Sequence, residues 1–469
     1  MTEPDRVTGD SDGGGAEPSW GPSEVPTTAL LTDQYELTMV RAALQAGTAS
    51  RRCVFELYPR RLPPGRRYGV VAGVGRALRA LGHFRFDDEA CRFLLDQQVV
   101  DEPTAEWLAG FRFGGTITGY PEGELYFPGS PLLVVEATFA EAVVLETLLL
   151  SIYNHDSAIA SAASRMILAA EGRPCIEMGS RRTQELAAVA AARAAYVAGF
   201  DATSNLEAGR RYGVPTTGTA AHAFTLLHDT ERDAFAAQVA AMGVDTTLLV
   251  DTYDVENAVR TGVELTGGRL GSVRLDSGDL PLLARQVRAQ LDGLGATRTK
   301  IIVTSDLDEQ NIAALSAAPV DAYGVGTALV TGSGAPTCGF VYKMVARSGS
   351  DDPSGPLQPV AKRSANKVSI GGRKYAARRL LANGVAEAEV ISIDRPSDDP
   401  RDRPLLVDLV RDGEIVGREP LTAARERHRR VRSELPQEAL KMSRGEPVIE
   451  TLVVHPDGVS ESTSYRRGV

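Results

Sequence analysis

The feature that most constrains the fold is an alternation of short apolar runs and helical windows between residues 174 and 349. Six runs rich in aliphatic and β-branched residues are separated by segments with apolar residues at helical spacing. Strands that alternate with helices favour a parallel sheet with right-handed crossovers. The spacing is typical of an α/β barrel or part of one, and a doubly wound open sheet is the competing arrangement. The runs are Cys175–Met178, Val214–Thr217, Thr247–Val250, Ser272–Leu275, Ile301–Thr304 and Ala322–Val325.

Small, hydroxyl-bearing or charged residues follow each of the six runs. In α/β barrels and open sheets the active site lies at the carboxyl ends of the strands, so we expect these residues to meet. Arginine binds planar carboxylates and phosphates, and aspartate can hold Mg²⁺ or ribose hydroxyls. The combination indicates a phosphorylated sugar substrate, a second anion and a metal. The residues are Arg181, His222, Asp251, Arg274, Asp276, Asp279, Asp306 and Thr327.

Each of these residues, taken singly, has a simpler interpretation. Aspartate is a preferred helix N-cap, and a lone histidine such as His222 is more often a hydrogen-bonded structural residue. Arg274 could equally form a salt bridge at the end of its strand. Their joint placement favours a site, because chance helix caps would include neither arginines nor a histidine.

Composition argues against several other classes of protein. The net charge of −10 at pH 7 and a pI near 5.3 disfavour a nucleic-acid coat or a basic membrane-binding protein. The four scattered cysteines form no CxxC pair, so neither a zinc ribbon nor a disulfide framework is indicated. No stretch approaches the roughly 18 apolar residues of a spanning helix. We therefore expect a cytoplasmic protein that binds neither nucleic acid nor membrane.

The remaining sequence divides into segments that differ in composition and in their strand or helix patterns. Residues 1–25 are acidic and rich in Gly and Pro, which predicts a disordered tail without a signal peptide. Residues 26–136 mix short strands and turns, as in an α+β module, and residues 137–173 carry one helical pattern, Phe139–Ala170, that we expect to link two regions. Residues 174–349 form the predicted barrel and residues 350–469 a C-terminal segment.

Six motifs in order resemble those of the nicotinate phosphoribosyltransferase family, over roughly Thr32 to Arg373. One short motif would be a weak signal, whereas six in sequence are specific. The motifs are Thr32–Met39 (TDQYELTM), Phe55–Tyr58 (FELY), Glu177–Arg182 (EMGSRR), Gly218–Phe224 (GTAAHAF), Val273–Asp279 (VRLDSGD) and Tyr323–Thr327 (YGVGT).

The resemblance implies both a fold and a reaction. The family fold is an α/β fold in which an irregular, incomplete α/β barrel is joined to an α/β sandwich built from both ends of the chain. The reaction joins nicotinate to 5-phosphoribosyl 1-diphosphate, giving nicotinate mononucleotide and diphosphate in NAD salvage. It is coupled to ATP hydrolysis and requires Mg²⁺, and the enzyme is typically a homodimer with shared active sites.

Roles at the pyridine and histidine sites follow from matching motifs. His222 resembles a histidine that ATP transiently phosphorylates. Arg274 resembles an arginine that contacts nicotinate, with Thr219 in the same pocket, and Arg181 matches another arginine of that pocket. Tyr35 resembles an aromatic residue that stacks on the pyridine ring, donated by the partner subunit.

Other positions are matched to the sugar and its phosphates. Asp276 resembles an acidic residue that holds ribose or its metal, and Asp279 is a second predicted metal ligand. Gly326 and Thr327 resemble the turn that takes the 5-phosphate, and Pro359–Ser364 is similar to a basic segment near the phosphates.

The choice between acid and amide depends on one position. The related nicotinamide-using family places an aspartate where Thr203-Ser204-Asn205 stands here, and a carboxylate would repel nicotinate. Ser204 is neutral and can donate a hydrogen bond to a carboxylate, so we expect the acid to be the substrate. The alternatives are a nicotinamide or quinolinate phosphoribosyltransferase, an unrelated barrel enzyme acting on sugar phosphates, and a non-catalytic binding protein.

Overall fold

The structure, a computed structural model, describes residues 27–349, 355–362 and 370–458 and the backbone of residues 460–462. The predicted tail, residues 1–25, lies outside the described residues. Among those described, no helix combines the length and the apolar composition that crossing a bilayer requires. All four cysteines are buried and free, as expected for small core side chains.

The N-terminal elements form a mixed α+β module. The module contains helices α1 to α4, and its strands β2 and β4 pair as a separate two-stranded sheet. The elements are α1 (Gln34–Gln45), β1 (Arg52–Pro59), β2 (Gly69–Val70), α2 (Val74–Gly82), α3 (Asp88–Asp96), α4 (Glu102–Ala109), β3 (Thr116–Gly119), β4 (Leu125–Tyr126) and β5 (Leu133–Thr138).

The linking segment forms two helices, α5 (Phe139–Val143) and α6 (Glu146–Ala169), where one was predicted. Val143, Val144 and Leu145 at the break are all buried. The first half of α6 packs into the core of the N-terminal module and the second half into the core of the barrel, so α6 contacts both regions.

The barrel segment contains six parallel strands in the order β7-β6-β11-β10-β9-β8. Five of the six predicted runs are confirmed within two residues at each end. The strands are β6 (Cys175–Glu177), β7 (Ala202–Thr203), β8 (Thr247–Leu249), β9 (Ser272–Leu275), β10 (Lys300–Val303) and β11 (Ala322–Val325), and the helices are α7 (Glu185–Val197), α8 (Leu206–Tyr212), α9 (His222–Leu226), α10 (Glu231–Met242), α11 (Val255–Leu265), α12 (Leu280–Gly293), α13 (Glu309–Ala314) and α14 (Thr327–Val330).

The prediction of a strand over Val214–Thr217 is wrong. This segment makes a single parallel bridge, from Thr216 to Thr203 of β7, and β7 itself was not predicted. Proline at position 215 has no N–H to donate, which shortens the ladder that this segment can form.

The parallel sheet is strongly curled. Thr216 lies beyond β7 at one edge, five strand spacings from β9, a span of about 24 Å in a flat sheet. Thr219 is only three residues further on, which reaches about 10 Å, yet its hydroxyl bonds to Arg274 of β9. Only a curled sheet brings the two edges so close, as expected for an incomplete barrel and not for an open doubly wound sheet.

The chain ends complete the sandwich, as the family resemblance implies. β12 (Phe340–Ser348) pairs with β1 although it lies within the segment 174–349 assigned to the barrel. The seven-stranded antiparallel sheet has the order β13-β12-β1-β5-β3-β17-β18, and a five-stranded sheet has the order β16-β14-β15-β19-β20. The added elements are β13 (Leu357–Pro359), β14 (Lys374–Leu380), β15 (Ala386–Ile393), β16 (Asp402–Pro404), β17 (Val407–Arg411), β18 (Glu414–Ile415), α15 (Leu421–Arg432), β19 (Glu450–Val454) and β20 (Ser460–Ser462).

A buried histidine ties α15 to the rest of the molecule. His428 is 1% exposed, and its Nδ1 lies 3.1 Å from the carbonyl oxygen of Gly123 while its Nε2 lies 3.0 Å from Ser164 Oγ on α6. A carbonyl only accepts, so Nδ1–H donates and neutral Nε2 accepts from the serine hydroxyl. Burial lowers the pKa of His428 from 6.5 to about 4, and the Arg432 charge acts in the same direction.

This pKa predicts a pH dependence of stability. Below pH 6.5 His428 becomes protonated in the unfolded chain, whereas in the folded chain it stays neutral down to about pH 4. Stability from this group is therefore lost as pH falls, by about 2 kcal/mol between pH 7 and pH 5. We expect His428→Gln to remove that component, measured as the difference between urea unfolding free energies at the two pH values. His455→Gln, outside this network, should behave as the unmodified chain, and equal pH dependence in all three would contradict the assignment.

Candidate active site

The carboxyl ends of the six parallel strands lie side by side at one edge of the sheet. Glu177, the last residue of β6, is in register with Thr203 at the end of β7 and with Val325 at the end of β11. Val303 of β10 is in register with Leu275 of β9 in the same way. The polar residues that follow these strands therefore meet, as predicted, in a region that we call the mouth, which includes Arg181, Ser204, Thr219, His222, Asp251, Arg274 and Asp276.

His222 is held by a buried carboxylate at the mouth. It is the first residue of α9, and its Nε2 lies 3.0 Å from Asp251 Oδ1, with side-chain exposures of 41% for the histidine and 3% for the aspartate. The second oxygen of Asp251 accepts from the backbone N–H of Asp276 at 3.1 Å and from the hydroxyl of Ser277 at 2.6 Å. A carboxylate with both oxygens bonded fixes the orientation of the imidazole and leaves Nδ1 as the available ring nitrogen.

Arg274 extends from β9 and keeps unused donors. Its Nη1 donates to Thr219 Oγ1 at 2.5 Å, whereas its buried Nε has no partner among the described residues. Burial lowers the pKa of Arg274, with the charge of Arg181 acting in the same direction and Asp276 and Asp251 opposing it. The two predicted arginines therefore lie near each other, and their mutual repulsion favours a bound anion.

A ring of hydrogen bonds joins the loops after β6 and β7. The buried carboxylate of Glu177 accepts from the backbone N–H of Gly179 and from the hydroxyl of Thr203, and burial raises its pKa. Asn205 Nδ2 in turn donates to Ser180 Oγ at 3.0 Å. These bonds restrain two exposed residues, Ser204 between Thr203 and Asn205, and Arg181 directly after Ser180.

The predicted acidic metal ligands do not form a cluster. Asp276 Oδ1 accepts from the Thr304 hydroxyl, and Asp279 Oδ1 caps α12 through the backbone N–H of Leu282 at 3.1 Å. Asp306 is exposed, and its carbonyl oxygen accepts from Asn311 at 3.2 Å. Within the described ranges, no group of three or more His, Cys, Asp or Glu side chains could hold a metal ion.

The turn after β11 packs closely against the turn after β6. Met178 N–H donates to the carbonyl of Val325 at 2.8 Å. A Cβ at Gly179 would lie 2.2 Å from Val330 Cγ1, so only glycine allows this approach. Gly326 and Thr327, which begin α14, therefore lie beside the loop that carries Arg181.

Tyr35 does not join the mouth of its own subunit. It lies on α1, is 46% exposed, and has no hydrogen bond or ring contact with a mouth residue among the described residues. Burial raises the pKa of Tyr35 to about 12, with the nearby charges of Glu146, Glu36 and Asp33 adding to the effect. Of the basic segment Pro359–Ser364, Arg363 and Ser364 lie outside the described residues.

Sequence reasoning missed the supporting residues. Asp251 was assigned to metal or ribose, but both of its oxygens serve His222 and the loop after β9. Glu177 and Thr304 were not singled out at all. A charged residue inside an apolar run, as in Cys175–Met178, was the available signal for Glu177.

Comparisons with known proteins agree with the fold and the motifs. The family model for the nicotinate phosphoribosyltransferase (NAPRTase) N-terminal domain matches residues 30–154. Nicotinate phosphoribosyltransferase PncB1 of Mycobacterium tuberculosis is 56% identical over 446 residues, covering 92% of this chain and 97% of the relative. Nicotinate phosphoribosyltransferase of Bacillus subtilis is 38% identical over 378 residues, covering 78% of this chain and 76% of the relative.

The overall structure gives the same result. The crystal structure of human nicotinic acid phosphoribosyltransferase is similar, with a TM-score of 0.77 at 26% identity, and the match covers 90% of this chain and 97% of the human chain. High identity over almost the full length and the shared fold together show that this chain belongs to the nicotinate phosphoribosyltransferase family.

Proposed function

We propose that this chain transfers the 5-phosphoribosyl group of 5-phosphoribosyl 1-diphosphate to nicotinate, forming nicotinate mononucleotide and diphosphate in NAD salvage, with ATP hydrolysis coupled to the turnover. The observation that carries the proposal is the pair Arg274 and Arg181 at the mouth, where the buried Nε of Arg274 has no partner in the part of the chain that the structure describes. This is an arrangement suited to a carboxylate or phosphate.

The protein has to position the reactants more than it has to activate them. Arg274 and Thr219 would bind the nicotinate carboxylate, which aims the ring nitrogen at the anomeric carbon. The pyridine nitrogen has a free lone pair, so no general base is needed. The bond from the anomeric carbon to diphosphate breaks as an oxocarbenium-like ribose forms, a situation similar to glycosyl transfer. Cationic side chains stabilise the leaving diphosphate, and Gly326 and Thr327 would receive the 5-phosphate.

His222 is the proposed acceptor of the ATP γ-phosphoryl group. Because its Nε2 faces Asp251, the lone pair of Nδ1 would attack the γ-phosphorus, and ADP would leave. The ring proton stays on Nε2, where Asp251 stabilises the positive charge that develops on the imidazole. Hydrolysis of the phosphohistidine then returns neutral His222 and phosphate.

Mg²⁺ fits the site as a companion of the substrate phosphates. It usually keeps several waters and is held by one or two carboxylates together with phosphate oxygens. Asp276 would supply a carboxylate oxygen from β9, and Asp279 would have to act through the oxygen that does not cap α12. When bound, the ion would neutralise charge on the diphosphate.

Direct assay tests the proposal. Purified chain incubated with nicotinate, 5-phosphoribosyl 1-diphosphate and Mg²⁺ should form nicotinate mononucleotide, and ATP should raise the rate. Nicotinamide and quinolinate serve as alternative substrates in the same assay. Faster use of either one would assign the chain to another phosphoribosyl transfer.

The proposal also includes a homodimer in which Tyr35 is donated to the active site of the partner subunit. Mixing Tyr35→Ala chains with His222→Ala chains tests this, because mixed dimers would then recover activity.

One prediction of the proposed function concerns the carboxylate behind His222. Asp251→Asn removes the negative charge that stabilises the imidazole, so labelling of His222 by γ-labelled ATP should fall by about 10- to 100-fold, with slow ATP-independent transfer retained. Asp254→Asn is the matched control, because Asp254 caps α11 and asparagine caps equally well. Undiminished labelling and full ATP stimulation in Asp251→Asn would exclude this role.

The second prediction concerns the choice of the acid. Ser204→Asp places a carboxylate on the loop after β7, which is bonded to the loop that carries Arg181. The substitution should lower kcat/KM for nicotinate by about tenfold or more through repulsion and through competition for the arginine. Ser204→Asn is a neutral control of similar size and should retain most of the activity. Unchanged nicotinate kinetics in Ser204→Asp would show that this position does not read the carboxylate.

A further inference from the structure

A second cleft rich in arginine lies outside the mouth. It has a volume of about 480 Å³ and forms where five parts of the chain meet: the loop before β2, helix α6, the turn before α13, the turn after α14 and the segment near residue 444. Arg66, Arg165 and Arg444 border it, and none of the residues that define the mouth does.

Arg66 is buried with an unused donor. It is 7% exposed, and its Nη2 donates to the carbonyl of Gly332 at 2.6 Å. Its buried Nη1 has no partner among the described residues. Burial lowers the pKa of Arg66, and the nearby Arg165 charge adds to this, while Glu309 opposes it.

Arg165 is also buried and also keeps one unused donor. It is 4% exposed, and its Nε donates to Glu309 Oε1 at 3.1 Å while its Nη2 donates to the carbonyl of Met442 at 2.8 Å. Its Nη1 is likewise buried and unpartnered among the described residues. Two guanidinium groups, each more than nine-tenths buried, thus border the same cleft with one donor nitrogen unused.

Carboxylates in the cleft do not satisfy these donors. Both oxygens of Glu309 are engaged, by Arg165 and by the hydroxyl of Ser333 at 2.7 Å, and Asp308 Oδ1 caps α13. Three guanidinium groups therefore face two carboxylates, and the cleft carries a surplus positive charge. A buried charged donor left unpaired costs more than a typical lost hydrogen bond, which an anion would recover.

The walls are shaped for close approach of the third arginine. The aliphatic part of Arg444 crosses Gly65, where a Cβ would lie 2.6 Å from Arg444 Cγ. Gly65 also has φ of +82°, which glycine adopts without strain. Arg444 is thereby held at the edge of the cleft, and it is the exposed member of the three arginines.

We propose that this cleft is a binding site for a phosphate-bearing anion, separate from the mouth, with Arg66 and Arg165 as its inner donors and Arg444 as its outer one. Bidentate arginine pairs suit tetrahedral phosphate oxygens, and three converging guanidinium groups suit a dianion. The bound group is either free inorganic phosphate or diphosphate, or the phosphoryl group of a nucleotide.

Calorimetric titration tests the site with three probes, inorganic phosphate, diphosphate and AMP. Arg444→Glu reverses an exposed charge at the opening and should weaken the tightest-binding probe by about tenfold. Arg298→Glu is the matched control, because Arg298 is exposed and precedes β10, at the other end of the strands from the mouth. Tightest binding of phosphate or diphosphate identifies a free anion as the bound group, and tightest binding of AMP identifies the phosphoryl group of a nucleotide.

Two further measurements separate this site from the reaction. Tungstate soaked into crystals should give an anomalous peak between the guanidinium groups of Arg66 and Arg165, and the KM for 5-phosphoribosyl 1-diphosphate should be unchanged in Arg444→Glu. Equal affinities for all probes in the two variants, a tungstate peak confined to the mouth, or a KM raised in proportion to the lost affinity would each overturn the proposal.

Discussion

The site depends on the curl of one parallel sheet. Thr216 at one edge and Arg274 on the strand next to the other edge would be far apart in a flat sheet, yet Thr219 and Arg274 share a hydrogen bond. The contact of His222 with Asp251 crosses the same gap. Curling therefore brings the GTAAHAF segment, with Thr219 and His222, over the ends of β8 and β9. Without it, the arginines, the histidine and the aspartates would lie along an open edge and could not address one substrate.

Acidic and basic side chains have different roles at the mouth: two buried carboxylates are fully hydrogen-bonded, and the arginines are placed to bind anions. Asp251 and Glu177 are buried, and each has both oxygens occupied by neighbouring hydroxyls, backbone amides or the histidine. They serve as supports that orient loops and an imidazole. Arg274, in contrast, keeps a buried nitrogen without a partner among the described residues. Satisfied carboxylates beside an unsatisfied guanidinium make the region receptive to anions, in agreement with substrates that carry a carboxylate and phosphates.

The sequence predicted what periodicity and strand ends encode, and it missed what depends on tertiary contacts. Five parallel strands and the position of Arg181 and Arg274 at their ends follow from local patterns. The failed strand at Val214–Thr217 looked equivalent to the others, but Pro215 and the edge position reduce it to one bridge. The role of Asp251 could not be predicted, because an aspartate after a strand looks the same whether it caps a helix, binds a metal or holds a histidine. The proposed role of Tyr35 could not be judged from strand ends, because Tyr35 lies on α1, outside the barrel segment.

The mouth and the arginine cleft are joined by the shortest helix of the barrel segment among the described residues. α14 has four residues; Gly326 precedes it beside the loop that carries Arg181, and Gly332 and Ser333 follow it against Arg66 and Glu309. Ser333 has φ of +51°, an unfavourable value for a residue with a side chain, and its neighbours Gly332 and Gly334 are also left-handed. That conformation is maintained by the bonds of Ser333 to Glu309 and of Gly332 to Arg66. The arginines that border the second cleft therefore help to fix the C-terminal end of α14, the helix whose other end adjoins the mouth.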